Sequence, residues 1–159
     1  MNLMLYRMGL QQVQDYLQKI TKPLFSHLWK LGFMNTPYID DSLLFGKSID
    51  ESRQNIMKTV DLSLKCGFFV HPVKSVFEPY QIIEYLGFVL NSKEMTVKLT
   101  ENRVKKLKLS VSCLLNTKTP TIQQVSEVVG QMVASFPGVL YGPLYYRCLD
   151  NEKSKWLKI

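Results

Sequence analysis

The sequence predicts an α+β chain in two parts, and three observations carry that reading. Short extended runs alternate with amphipathic helical stretches up to about residue 92. Beyond that point two amphipathic helices dominate and the charge turns basic. Helix starts are marked by capping boxes, one at Ser48-Ile49-Asp50-Glu51 and one at Thr121 with Gln124. The division therefore falls between residues 91 and 92, giving parts 1–91 and 92–159.

A chain of 159 residues, 46% apolar and 21% charged, buries a core of its own and is not a disordered tract. The net charge of +7 suits a polyanionic partner, either nucleic acid or an anionic membrane surface. No apolar run approaches the roughly 18 residues of a spanning helix. The N-terminus MNLMLYRMGL lacks the pattern of a signal peptide, so an intracellular protein is expected. Cys66, Cys113 and Cys148 are odd in number and widely spaced, which reads as reduced and structural.

In the first part, Val13, Tyr16, Leu17, Ile20, Leu24, Leu28 and Leu31 recur at helical spacing over residues 11–31. Pro23 should kink this helix or split it in two, and Gly32 stops it. A hairpin comes next, from Phe33 to Phe45, with Asp40-Asp41 at its tip. The helix opened by Ser48 turns Ile49, Ile56, Val60 and Leu64 towards a core and closes at Gly67. Phe68-Phe69-Val70 reads as a short buried strand, and Lys74-Ser75-Val76-Phe77 as another extended piece. The strongest strand signal is Tyr85-Leu86-Gly87-Phe88-Val89-Leu90, turned back at Asn91-Ser92-Lys93 into the alternating run Met95 to Leu99.

In the second part, Thr100 caps a helix with the apolar face Val104, Leu107, Val111 and Leu114. Its other face carries Arg103, Lys105, Lys106 and Lys108. A helix from Thr121 runs along Ile122, Val125, Val129, Met132 and Val133 to Pro137-Gly138, and YGPLYYRCLD forms a short further helix. Trp29 and Trp156 are expected to pack, and His27 and His71 to be structural.

The chemistry centres on Tyr38-Ile39-Asp40-Asp41. Neighbouring side chains of a straight strand face opposite ways, but a tight turn at the acidic pair aims both carboxylates at one site. Two hard oxygen ligands that close repel unless a divalent cation, typically magnesium, lies between them. The same pair also fits a solvated polar turn.

Taken together, these residues resemble the reverse transcriptases of retroelements, and most closely the DIRS-like, tyrosine-recombinase-bearing group. The resemblance runs from about Tyr6 to the end. Tyr38-Ile39-Asp40-Asp41 matches the family's Tyr-x-Asp-Asp motif. Lys65-Cys66-Gly67-Phe68 followed by His71-Pro72-Val73-Lys74-Ser75 looks like the lysine-bearing motif that comes next. Glu84-Tyr85-Leu86-Gly87-Phe88 is similar to the primer grip, and the tail from Thr121 resembles the segment after the thumb. Met8-Gly9-Leu10 fits the motif opening the long helix, whereas Gln11-Gln12-Val13-Gln14-Asp15 departs from it.

The resemblance implies a partial polymerase palm followed by a mainly helical thumb. It implies RNA-directed DNA polymerisation with two magnesium ions, on an RNA or DNA primer–template with deoxynucleotides. It assigns Asp40 and Asp41 to the metals, with Asp41 also holding the turn, and Lys74 to the leaving pyrophosphate. Tyr38 lies against the primer end, and Gly87 and Phe88 under the primer backbone. Arg103, Lys105, Lys106 and Lys108 track the duplex. Blander alternatives stand beside these roles: a surface lysine at position 74, a bulge at Gly87, a solubilising face on the Thr100 helix.

The family's third catalytic carboxylate and its fingers lie ahead of the hairpin, and nothing here precedes Met1. The expectation is thus an N-terminally truncated fragment, inactive alone. The alternatives are a non-catalytic remnant that binds nucleic acid or pairs with another polymerase subunit, and an inert product whose exposed palm edge aggregates. An anionic-membrane role fits least, since no helix joins a basic face to exposed aromatic anchors.

Overall fold

The computed structural model describes residues 10–156, with side chains described for residues 18–155. In order these are helix α1 (Leu10–Lys30), strands β1 (Asn35–Tyr38) and β2 (Asp41–Leu44), and helix α2 (Ile49–Lys65). Strands β3 (Ile82–Tyr85), β4 (Phe88–Asn91) and β5 (Thr96–Leu99) come next, then helices α3 (Glu101–Asn116), α4 (Ile122–Ala134) and α5 (Gly142–Trp156). The mixture of helices with two small antiparallel sheets is the α+β class the sequence predicts. Among the described residues, no helix is long and apolar enough to cross a membrane. Met8-Gly9 lies outside the described residues.

The chain forms two compact units, the first ending at Pro79 and the second beginning at Tyr80. In the first, α1 packs on β1 and α2, and α2 packs on β2. Leu24, Phe25 and Leu28 form the core, with Phe33, Leu62 and Phe68 against it. Both helices end in the same way. The N–H groups of Gly32 and Phe33 donate to Trp29 and Leu28, and those of Gly67 and Phe68 to Leu64 and Ser63. These are Schellman caps, which need the left-handed φ of +87° at Gly32 and +82° at Gly67. Each brings the next residue, a phenylalanine, back onto the core.

Of the kink or split expected at Pro23, the split does not occur: α1 runs through as one helix. Three expectations are corrected in this unit. The face of α2 that is buried is polar, Asn55, Thr59 and Ser63, while Ile49 (61% exposed) and Leu64 (55%) lie outside. Phe68-Phe69-Val70 is not a strand: Phe68 turns into the core, Phe69 is 79% exposed, and no described strand pairs with the run. Residues 74–77 also form no strand; they leave a turn at residues 72–74.

The second unit is built on the antiparallel sheet β3-β4-β5, registered by the pairs Tyr85↔Phe88 and Phe88↔Leu99. The single strand expected over residues 85–90 is instead two strands joined at Leu86-Gly87. Both turn residues have positive φ, +50° and +78°, which matches a two-residue type I′ hairpin. α3 packs on α4 and α4 on α5, and Val128 and Val129 supply the buried apolar centre. Thr121 and Gln124 form the complete capping box that the sequence predicts. Pro137-Gly138 belongs to a 3₁₀ turn after α4, and α5 is 15 residues long, more than the short helix expected.

Candidate functional site

The strand register places Tyr38 directly opposite Asp41, with Ile39 and Asp40 as the two turn residues between them. Directly opposed residues of an antiparallel pair share a face, so the side chains of Tyr38 and Asp41 leave the hairpin on the same side. Asp40 occupies the tip. Both carboxylates are exposed, and Tyr38 is 51% exposed. Ile39 has φ +56° while Asp40 does not enter the left-handed region, the pattern of a type II′ turn that ordinarily takes glycine first. A β-branched residue held there stores roughly 1–3 kcal/mol of strain, a cost that collects at functional turns.

The hairpin is held from behind. Asn55 on α2 is fully buried, and its Nδ2 donates to the carbonyls of Met34 at 2.7 Å and Phe45 at 2.9 Å. Those carbonyls belong to the two chain ends just outside β1 and β2, where Phe45 N–H also donates to Met34 O at 3.0 Å. The hydroxyl of Thr59 donates to Asn55 Oδ1 at 3.2 Å and fixes the amide orientation. One side chain therefore ties both legs of the acidic hairpin to one helix. The sequence pattern does not single it out, because an asparagine in a helix is ordinarily a weak, solvent-facing helix former. The available signal was its place in a polar row at four-residue spacing with Thr59 and Ser63. Gly46 adds a second constraint: a Cβ there would lie 2.5 Å from the backbone nitrogen of Ser52 in the first turn of α2.

Lys74 ends the turn at residues 72–74 and is exposed; its backbone N–H donates to His71 Nδ1 at 3.4 Å. Among the described residues no group of three or more His, Cys, Asp or Glu side chains gathers. The donor set at the tip is two hard carboxylates. That fits magnesium, which takes one or two protein carboxylates and completes its octahedron with water and substrate phosphate.

In the second unit the expected grip residues and the first turn of α3 meet. Arg103 donates from Nη1 to Leu86 O and from Nη2 to Ala134 O, each at 2.7 Å, and lies 4.6 Å from the centre of the Phe88 ring. A Cβ on Gly87 would meet Arg103 Nη1 at 2.8 Å. Lys105, Lys106 and Lys108 remain exposed along α3, with a 3.6 Å surface pair from Lys105 to Glu101.

The fold has a solved counterpart. Over 89% of this chain it superposes, with a TM-score of 0.56 and 17% identity, on a structure described as the foamy viral protease-reverse transcriptase dRH in complex with ds DNA. The fold is reverse-transcriptase-like. The chain spans about a fifth (22%) of the length of that relative. No family model and no curated protein matches the sequence. Within this reverse-transcriptase-like fold the acidic hairpin belongs to the first unit, and the Leu86-Gly87 turn with its basic helix to the second.

Proposed function

We propose that the chain is the catalytic-hairpin and thumb segment of a retroelement reverse transcriptase, built to bind a primer–template duplex. One observation carries the reading: a Tyr-x-Asp-Asp sequence folded as a two-residue hairpin, acids outward, in a chain of reverse-transcriptase-like fold. The order of motifs through Lys74 and Leu86-Gly87-Phe88 supports the same reading, and the tail from Thr121 supports the DIRS-like group.

On this reading Asp40 and Asp41 hold magnesium, which when bound stabilises the attacking and leaving oxygens of nucleotide joining. Tyr38, beside Asp41, lies against the primer end. Lys74 neutralises or protonates the leaving pyrophosphate. Gly87 and Phe88 underlie the primer backbone, and Lys105, Lys106 and Lys108 contact phosphates without reading sequence. Two carboxylates suffice to hold one magnesium ion but not to neutralise the two ions of nucleotide joining, so these 159 residues alone bind duplex and extend a primer poorly.

The test is fluorescence anisotropy of an RNA–DNA primer–template titrated with the protein across a salt series, beside primer extension on oligo-dT-primed poly-rA. Binding that weakens steeply with salt is the expected result. Absence of duplex binding at low salt overturns the reading. Magnesium-dependent synthesis abolished by Asp40→Ala overturns poor extension while upholding the assignment of the acids. A non-catalytic, duplex-binding remnant is the second reading; the exposed lysine row of α3 favours it equally, and magnesium binding that survives loss of both acids would select it.

A further inference from the structure

Arg103 sits in the first turn of α3, where the helix dipole disfavours a cation. Its guanidinium nevertheless turns back onto its own unit. It bonds one carbonyl 17 residues before it in the chain and another 31 residues after it. The Leu86 carbonyl it holds belongs to the hairpin turn. The next carbonyl, that of Gly87, accepts from the backbone N–H of Thr100, the N-cap of α3, at 3.2 Å. Both carbonyls of a turn that would otherwise face water are thus fastened to the start of one helix. The Phe88 ring lies under the same guanidinium, and Gly87 leaves it room to approach.

We infer that Arg103 is a positioning residue, locking the Leu86-Gly87-Phe88 turn to the N-terminus of α3 and the end of α4, so that turn and lysine row meet a duplex as one rigid surface. Engagement of a duplex rests on the reading under "Proposed function"; the locking of the turn does not. A guanidinium spans two carbonyls with its planar fork, whereas an ammonium is a single point of donors. Arg103→Lys therefore keeps the charge and loses the bridge.

The test compares the wild type with Arg103→Lys by amide hydrogen exchange, melting and duplex binding. Expected for Arg103→Lys are a melting point within a few degrees of wild type and exchange at Phe88 and Thr100 faster by roughly tenfold. Duplex affinity is expected to fall roughly tenfold, matching the removal of one charge-assisted hydrogen bond, with an unchanged salt slope. A purely electrostatic role would lower neither exchange protection nor affinity in this charge-conserving variant, and a purely structural one would lower the melting point in proportion. Lys106→Ala serves as the opposite control, reducing the salt slope and leaving exchange as it was. Arg103→Gln is the second route, since its amide nitrogen can reach only one of the two carbonyls, and it should reproduce the exchange change if Arg103→Lys does not fold. Wild-type exchange and affinity in Arg103→Lys overturn the inference. A wild type that binds no duplex overturns the proposed function, and the exchange rates then decide the locking role on their own.

Discussion

The Nδ2 group of Asn55 donates at 2.9 Å to the carbonyl of Phe45, the residue just after the second strand of the acidic hairpin. The same nitrogen reaches Met34 on the other leg, so the geometry of Asp40 and Asp41 depends on an amide buried on a helix that bears neither acid. Replacing Asn55 by Ala removes a donor from both carbonyls, leaving Met34 O its bond from Phe45 N–H, and replacing it by Asp sets a carboxylate against them. Asn55→Ala should destabilise the protein by about 2–3 kcal/mol and Asn55→Asp by more. Urea unfolding followed by near-ultraviolet circular dichroism gives the difference; a loss below about 0.5 kcal/mol would show that the hairpin does not depend on this latch.

The acids themselves carry little of the fold. Asp40 and Asp41 are both exposed, so Asp40→Asn and Asp41→Asn should shift stability by no more than about 0.5 kcal/mol. Both should weaken magnesium or manganese binding by roughly tenfold or more, Asp40→Asn the more strongly, since each removes one hard anionic ligand. Isothermal titration with manganese checks this, and unchanged binding in both variants would return the pair to a solvated turn.

The Leu86-Gly87 turn violates a local rule, because leucine stands where type I′ geometry favours asparagine. Leu86→Asn keeps the carbonyl that Arg103 holds and removes the strain of a bulky side chain at positive φ. It should stabilise the protein by about 1 kcal/mol. A melting point raised by a few degrees is the expected readout, and a lowered one would mean that the partly exposed leucine side chain contributes packing that outweighs its strain.

Lys105, Lys106 and Lys108 are exposed, and the Lys105–Glu101 pair is a surface contact that adds little to stability. Changing all three to Ala should leave the melting point nearly unmoved. It should flatten the dependence of duplex affinity on salt by roughly one unit of slope for each phosphate no longer neutralised. A slope equal to the wild type would remove α3 from the nucleic-acid surface.

Much of the architecture was legible in the chain because its signals are local. Ser48, Thr100 and Thr121 accept from backbone donors three residues on, and Gly32 and Gly67 end helices within one turn. Asp40-Asp41 between two apolar runs marked a hairpin for the same reason. The errors share a cause as well. Ile49, Ile56, Val60 and Leu64 have helical spacing, but spacing does not say which face meets the neighbour, and α2 turns its polar row to the hairpin. Phe68-Phe69-Val70 has strand composition, yet a strand needs a partner, and the cap at Gly67 sends Phe68 to the α1 core instead.

The sequence by itself determined the helices, their caps and the acidic hairpin with its neighbouring tyrosine, all set by interactions within a few residues; the turn itself falls on Ile39-Asp40, one residue earlier than the acidic pair. Only the tertiary structure decided how those pieces are held: Asn55 reaching carbonyls at Met34 and Phe45, and Arg103 joining Leu86 to Ala134. Such bonds connect residues 10 to 31 positions apart, and they depend on which groups the fold brings together, which no local pattern encodes.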